Sequence, residues 1–230
     1  MAGSDGNLWI TAVTQSGGKA RRGREWVSRK GNLFASLLLV NELGVQDTST
    51  LPFVASLAVV EAIEKSISAE TGNAPVKIKW PNDVLFNSKK ISGILLEASV
   101  TPSGRRAMVI GCGINCAHSP NSALYPATSL HEEGYKVSVG ALFLALGDAM
   151  HRYLSIWNNG AGFAEIRQLW LKKAAGVGET IIARFDNSSK SGKFVDIDQS
   201  GRLILATDAG EILISAADIF FGLGQDNDSE

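Results

Sequence analysis

The sequence predicts an α+β fold. A mixed β-sheet domain flanked by helices (residues 1–175) precedes a small C-terminal β-barrel (residues 176–224) and an acidic tail (residues 225–230). Strand-like and helical segments alternate up to Gly176, and after it short strand-like runs separated by turn residues recur roughly every ten residues. Hydrophobic residues make up 45% of the 230 residues, which is enough to form a core.

Composition excludes several classes of protein. With 22 basic and 23 acidic residues the formal charge is −1, so no general attraction to nucleic acid or to anionic membranes is expected. No apolar run approaches the ~18–20 residues of a membrane span, and the first residues do not form a secretory signal. Two cysteines cannot form a disulfide framework. We therefore expect a soluble, cytoplasmic protein with no membrane partner.

Apolar segments at 8–13 and 33–40 predict two buried strands joined by a long basic loop. Apolar residues spaced by three and four from Leu51 predict a helix, with Pro52 in its first turn. A second helix is predicted after its cap residue Ser138, and a shorter one follows it. The remaining predicted elements are strands at 76–80, 84–86, 91–97 and 107–114, a hairpin tip at 87–88, and strands at 180–185, 194–197, 203–207 and 212–215.

The basic loop contains the segment GGKARRGR at residues 17–24. Its glycines allow sharp turns and close approach to a ligand, and its cationic side chains offer donors to an anion. The segment is not a P-loop, because it lacks Gly-Lys-Ser/Thr and does not open a helix. By itself it favours anion binding no more than a solvated loop or a nucleic-acid contact.

Three later segments combine strands with polar residues. In KWPND (79–83) the proline ends a strand and leaves an amide and a carboxylate at the bend. In KISGIL (90–95) a glycine interrupts an apolar strand, which is typical of a bulge or of a ligand lying against the backbone. The strand at 111–115 has two glycines and ends at an asparagine. Taken singly, these segments are equally explained by charged strand edges and turns.

Taken in this order, the motifs resemble those of the biotin–protein ligase family. The family's loop usually has the form Gly-Arg-Gly-Arg-Arg-Gly-Arg, followed by Trp and an Asn-Leu-Tyr-like strand. Here residues 18–24, Trp26 and 32–37 occupy these positions, and the three later segments match the family's other signatures. The resemblance extends over nearly the whole chain, including the C-terminal barrel and its final segment 214–218.

The resemblance implies a two-step ligase reaction. Biotin and Mg-ATP form biotinyl-adenylate and pyrophosphate, and a lysine of a biotin carboxyl carrier protein, typically the acetyl-CoA carboxylase subunit, then accepts biotin as an amide. Since the mixed anhydride with AMP is already an acyl donor, no covalent enzyme intermediate is needed. Family members pair through edge strands near the loop, which allows a weak homodimer.

The resemblance also assigns roles to individual residues. Lys90 is expected beside the biotin carboxylate, with Arg21 and Lys19 closing over it. The other residues expected to contact biotin or the adenylate are Gln15, Gly18, Ala20 and Gly93. Those expected to bind ATP are Arg24, Lys79, Asn82 and Asn115. Arg21, Lys79, Lys90 and Asp83 form the expected catalytic set, in which Asp83 either orients a lysine or accepts a proton from the incoming amine.

Two departures from the family pattern concern the N-terminal half. Lys19 and Ala20 stand where the family commonly has Arg and Gly. The family's Ser-Thr-Asn signature, which forms a wall of the biotin pocket, does not occur in the sequence. Either that element lies upstream of Met1, or the chain is a remnant without part of the pocket. The short segment before Leu8 also leads us to expect no winged-helix domain and no repressor function.

Other interpretations remain open from the sequence. A lipoate- or octanoate-transferring enzyme would share the fold and the lysine chemistry. A nucleic-acid-binding module would use the basic loop, although positive charge is confined to that loop. Cys112, Cys116 and His118 could be drawn as metal ligands, but a fourth ligand is missing, so no metal site is predicted. Trp26 and Trp80 flank the proposed site and are expected to pack rather than to touch a ligand.

Overall fold

The computed structural model describes residues 8–41, 48–67, 74–101, 104–121 and 126–222. The predicted acidic tail lies outside these residues. The helices are α1 (Leu51–Ile67), α2 (Val139–Trp157) and α3 (Phe163–Lys173). The strands are β1 (Leu8–Ala12), β2 (Leu33–Asn41), β3 (Val76–Lys79), β4 (Asp83–Phe86), β5 (Lys89–Val100), β6 (Arg106–Ile114), β7 (Thr180–Arg184), β8 (Ser189–Ile197), β9 (Leu203–Thr207), β10 (Gly210–Ile214) and β11 (Asp218–Phe221).

The first six strands form one sheet in the order β1-β2-β6-β5-β4-β3. The predicted α+β class, with a helix-flanked sheet and a C-terminal sheet domain, is confirmed. The sheet differs from the expected mixed type, because each of its strand pairings is antiparallel. The reason is that β3, β4, β5 and β6 follow one another through short connections, which join antiparallel neighbours.

The local signals that predicted the helices and the central hairpin are confirmed. Helix α1 begins at Leu51 with Pro52 in its first turn, and the Ser138 side chain accepts a hydrogen bond from Ala141 N at the start of α2. Asn87 and Ser88 both have positive φ (48° and 63°) at the tip between β4 and β5. This conformation is the one that two-residue hairpin loops require.

The three described helices pack on the same face of the first sheet. Ile110, Cys112 and Ile114 of β6 lie in the core together with residues of α1, α2 and α3. Since side chains alternate across a strand, the intervening Gly111 and Gly113 lie on the opposite face. That uncovered, glycine-lined face is where the site forms.

Strand β1 is not the buried strand that its apolar sequence predicts. Among the described strands it pairs with β2 alone, at the sheet edge, and Leu8 and Ile10 are 42% and 56% exposed. Trp9 is the partly buried exception, since its ring lies edge-on against Phe143 of α2. An apolar alternation predicts a strand but not what covers it.

Among the described helices, none combines the length and the hydrophobicity of a membrane span.

The last five strands form a second sheet in the order β10-β9-β8-β7-β11, and all of its pairings are antiparallel. In the described residues no ladder joins β10 to β11, so the predicted barrel is an open sheet. Strand β11 was not among the predicted strands, because its four residues follow a short turn without an alternating pattern.

Candidate active site

Trp26 lies directly on the glycines of the uncovered sheet face. A Cβ atom on Gly113 would fall 2.6 Å from the Trp26 ring, and one on Gly93 would fall 2.8 Å from it. Gly93 and Gly113 are cross-strand partners, so β5 and β6 have no side chain where the ring rests. The bulge of this strand pair lies two residues away on the same strand, since Val84 and Leu85 of β4 face Ser92 and Lys90 and leave Ile91 as the extra residue of β5.

The basic loop folds back on itself as a short hairpin, which we call the arginine hairpin (residues 18–26). Trp26 N donates to Gly18 O at 2.9 Å, and Ala20 N donates to Arg24 O at 2.7 Å. The tip turns at Arg22 and Gly23, which both have positive φ (58° and 69°). A Cβ atom on Gly18 would lie 2.4 Å from Trp26 O, so this close approach of two backbone segments requires glycine.

Asp83 lies between two lysines at the start of β4. Its carboxylate is 2.7 Å from Lys90 Nζ and 4.0 Å from Lys79 Nζ. Burial lowers the pKa of Lys79, and the nearby charge of Asp83 raises it in part compensation. Lys79 Nζ also donates to Ile219 O in β11 at 3.2 Å. Lys79 thus joins Asp83 to the second sheet.

The arginines of the hairpin contact both domains. Arg21 Nη1 donates to Asn82 Oδ1 at 3.0 Å, and Asn82 Nδ2 donates to Ile94 O in β5. Arg24 Nη2 lies 3.3 and 3.4 Å from the two carboxylate oxygens of Asp218. The hairpin is therefore attached to KWPND on one side and to β11 on the other.

These elements enclose a cavity of about 540 Å³. Its cationic side chains are Arg21, Arg24, Lys19 and Lys90, and Asp83 and Asp218 are among its acidic ones. Its apolar lining includes Phe34, Ile94, Leu95 and Val109. A cavity with convergent cations beside an apolar surface suits a ligand that carries anionic groups on an apolar body.

Most of the predicted site residues lie together. Those that line the cavity are Gln15, Lys19, Ala20, Arg21, Arg24, Asn82, Asp83, Lys90, Gly93 and Asn115. Gln15 and Lys19 are solvent-exposed, with Gln15 accepting a hydrogen bond from Ser28 and Lys19 lying 3.9 Å from Glu97. Asn115 is buried at the end of β6, where its amide donates to Thr128 O.

Two predicted residues are not part of the cavity lining. Gly18 contributes the hairpin backbone rather than a cavity surface. Lys79 was expected on the nucleotide side, but it lies behind Asp83 with its ammonium group directed to Ile219 O. The alternation of side chains along a strand determines the face of β3 on which Lys79 lies. The packing of β11 then determines which groups the Lys79 side chain contacts.

Sequence reasoning missed Asp218 and the position of Trp26. Asp218 ends the segment 214–218 of the family resemblance but was given no role in the site; it lines the cavity although it is far from the other motifs along the chain. Trp26 packs on glycines as expected but also lines the cavity. Its buried Nε1 has no hydrogen-bond partner among the described residues. Nε1 lies against the sheet, since a Cβ atom added to Gly113 would fall 2.7 Å from it.

The cysteines and Trp80 belong to the core. Burial raises the pKa of the Cys112 thiol to about 12 and that of Cys116 to about 11. Both cysteines are free. Trp80 is buried, and its Nε1 donates to Gly201 O in the second sheet domain at 2.9 Å. Within the described ranges, no group of three or more His, Cys, Asp or Glu side chains lies together as metal ligands.

Comparison with known proteins agrees with this arrangement. Residues 3–115 match the biotin/lipoate A/B protein ligase family, and residues 176–222 match the biotin protein ligase C-terminal domain. The chain is 39% identical over 226 residues to biotin–[acetyl-CoA-carboxylase] ligase of Paracoccus denitrificans, covering 96% of this chain and 92% of that protein. It is 36% identical over 222 residues to the bifunctional ligase/repressor BirA of Bacillus subtilis, covering 93% of this chain and 66% of that protein.

A solved structure shares the fold over most of its length. Biotin protein ligase from Aquifex aeolicus, in complex with biotin and ATP, superposes with a TM-score of 0.79 at 27% sequence identity. The similarity covers 93% of this chain and 89% of that structure. The motifs, both domains and the relatives agree, and the chain belongs to the biotin–protein ligase family.

Proposed function

We propose that this chain is an ATP-dependent biotin–protein ligase. Biotin and Mg-ATP react to form biotinyl-5′-AMP and pyrophosphate, and biotin then passes to a lysine of the biotin carboxyl carrier protein of acetyl-CoA carboxylase. The observation that carries this proposal is the convergence of Arg21, Arg24 and Lys90 on one cavity beside an apolar surface. The substrates are inferred from the Paracoccus relative, a biotin–[acetyl-CoA-carboxylase] ligase, and from the Aquifex structure, which contains biotin and ATP.

The convergent cations address the main electrostatic obstacle of the first step. The biotin carboxylate must approach the α-phosphate of ATP, which brings two anions together. At ~4 Å and an effective dielectric constant near 20, a pair of unit charges interacts by about 4 kcal/mol. Uncompensated repulsion of that size would slow the step by roughly three powers of ten. Lys90 and Arg21, which both line the cavity, would offset it.

Asp83 would position Lys90 for this role. The 2.7 Å contact holds the Lys90 side chain close to Gly93, with its ammonium group 5.7 Å from the centroid of the Trp26 ring. In the second step the same carboxylate could accept a proton from the incoming amine. Lys79 would affect the reaction through its contact with Asp83 rather than by binding the nucleotide, since it does not line the cavity.

We assign the nucleotide to the part of the cavity beside Trp26, Arg24, Asn82 and Asn115. The presence of these four side chains in the lining of one cavity supports this assignment. Mg²⁺ would enter with the phosphates as part of the substrate. In this assignment biotin lies over β5 and β6, near Gly93, with its carboxylate toward Lys90, and the backbone of 17–20 closes over the adenylate.

Closure of the arginine hairpin would protect the intermediate. An acyl-adenylate hydrolyses when water reaches it, so a segment ordered over the cavity retains it until the carrier arrives. The bond from Arg21 to Asn82 joins the hairpin to KWPND and would maintain the closed arrangement.

A homodimer and a cytoplasmic location also belong to this proposal. In the described sheet, β1 is an edge strand with exposed Leu8 and Ile10, which a second copy could cover. Sedimentation at increasing protein concentration, with Ile10→Lys as the comparison, tests the dimer. We place the reaction in the cytoplasm, where ATP is available.

The test is biotin-dependent exchange of pyrophosphate into ATP, catalysed by this chain, in competition with lipoate. We expect exchange with biotin that excess lipoate does not suppress. Exchange with lipoate alone would support the alternative lipoate or octanoate ligase. The absence of exchange with either acid would support the remnant interpretation.

A further inference from the structure

A carboxylate of the C-terminal domain is bonded to the arginine hairpin. Asp218, the first residue of β11, lies 3.2 Å from Arg22 Nη1 and 3.3 Å from Arg24 Nη2. Its side chain is 21% exposed, against 35–36% for the two arginines. The contact is therefore partly shielded from solvent, in contrast to most surface ion pairs.

The strand that carries Asp218 is held against the first sheet at the next residue. Ile219 is buried, and its carbonyl oxygen accepts a hydrogen bond from Lys79 Nζ. The following Trp80 holds a second point of the same domain through Gly201 O. Asp218 thus occupies a fixed position relative to KWPND, while the hairpin residues that it contacts lie on a connection between strands.

The hairpin needs such a partner for electrostatic reasons. Arg21, Arg22 and Arg24 bring three cations within four residues, and Arg22 occupies the left-handed region at the tip. Their mutual repulsion and the backbone strain at Arg22 both favour opening of the hairpin. A carboxylate placed between two of the arginines opposes that repulsion.

We propose that Asp218 is a positioning residue that keeps the arginine hairpin closed over the cavity. It acts through Arg22 and Arg24, and it thereby makes the C-terminal domain part of the mechanism that retains the adenylate. The retention of the intermediate rests on the proposed function. The conformational effect on the hairpin exists without any ligand.

The first experiment is limited trypsin digestion of the full, ligand-free chain, followed by mass spectrometry of cleavage after residues 21–24. Asp218→Asn keeps the side-chain shape and removes the charge. We expect cleavage in the hairpin to become about tenfold faster than in the unchanged protein. An unchanged cleavage rate, at an unchanged melting temperature, would overturn the proposal.

Asp186→Asn is the matched control. Asp186 belongs to the same domain and lies 3.3 Å from the same Arg22 Nη1, but its side chain is 84% exposed. We expect its cleavage rate to stay within twofold of the unchanged protein. An equal increase for both variants would contradict a specific role for Asp218, because it would show that any lost carboxylate loosens the hairpin.

Arg22→Gln tests the same contact from the other side and covers the case in which Asp218→Asn does not fold. We expect Arg22→Gln to accelerate cleavage after Arg24. The double variant, Arg22→Gln with Asp218→Asn, should be cleaved less than twice as fast as the faster of the two single variants. Independent, multiplying effects would show that the two residues do not act as a pair.

The second measurement is the rate at which biotinyl-adenylate leaves the protein when no carrier is present. We expect Asp218→Asn to raise this rate about tenfold while adenylate formation changes less than threefold. An unchanged rate of adenylate release would overturn the role of Asp218 in retaining the intermediate. If the unchanged protein forms no adenylate, the proposed function fails, and the digestion result still decides the conformational role of Asp218.

Discussion

Lys90 Nζ lies 2.7 Å from a carboxylate oxygen of Asp83, and both side chains line the same cavity. The contact joins two motifs, KWPND and KISGIL, through neighbouring antiparallel strands. A cation held in this way is already oriented when an anionic substrate arrives, so less of its side-chain entropy is lost on binding. The contact also explains why a lysine stands immediately before an otherwise apolar run.

We expect Lys90→Gln to lower biotin-dependent pyrophosphate exchange at least hundredfold, because the glutamine cannot offset the repulsion between the two reacting anions. Lys89→Gln is the control, since Lys89 is half-exposed and contacts Glu133 at 3.3 Å instead of lining the cavity. It should retain activity within twofold. Exchange that persists in Lys90→Gln would remove this lysine from the reaction.

We expect Arg21→Gly to release the adenylate before transfer and to label bystander proteins, because it removes the bond to Asn82 that attaches the hairpin to KWPND. The measurement is biotin incorporated into carrier protein and into serum albumin present in the same reaction. Arg29→Gly, at an exposed position outside the hairpin, is the comparison. Carrier selectivity that is the same in both variants would argue against gating by the hairpin.

We expect Gly113→Ala to lower the free energy of unfolding by about 1–3 kcal/mol, the usual cost of overpacking. The added methyl group would lie 2.6 Å from Trp26, whereas on Gly111 the nearest atom would be 3.5 Å away. Urea unfolding measures Gly113→Ala and its control, Gly111→Ala. In a Trp26→Leu background, Gly113→Ala should lower the free energy of unfolding by less than half as much. An equal loss in both backgrounds would mean that the added methyl group does not clash with the Trp26 ring.

We expect both cysteines to resist iodoacetamide in the folded protein at pH 8 and to react in urea. Burial raises the pKa values to about 12 for Cys112 and about 11 for Cys116, so neither forms a thiolate at that pH. Above pH 9 the unfolded thiols ionise first. The unfolded state then binds fewer protons, and these groups lower the free energy of unfolding as the pH rises toward 11–12. Rapid alkylation of the folded protein would contradict this burial.

Elements whose start or turn is specified by neighbouring residues could be predicted from the sequence. Helix α2 begins at its capping serine and α1 carries a proline in its first turn. The turn at 87–88 uses residues that tolerate positive φ. Each of these depends on side chains within a few residues of one another, so neighbouring sequence is sufficient to specify it.

The candidate site could be predicted only in part. The motifs identified the cations of the arginine hairpin, Lys90 and Asn82, because they are contiguous patterns. Lys79 was predicted in the cavity and lies behind Asp83, since its surroundings depend on where β11 packs. Asp218 lies in the segment 214–218 of the family resemblance, but the sequence assigned it no role in the site, because its contacts are more than 190 residues away along the chain.

By itself the sequence determined the order of the elements, the basic hairpin, the glycine-bearing strands and the family to which these motifs point. Those features follow from backbone preferences and alternation, which act over a few residues. The tertiary structure alone decided that β1 lies at an edge, that Trp26 rests on Gly93 and Gly113, and that β11 meets the arginines. Packing and charge contacts depend on distance in space, and two separate sheets had to meet before these could form.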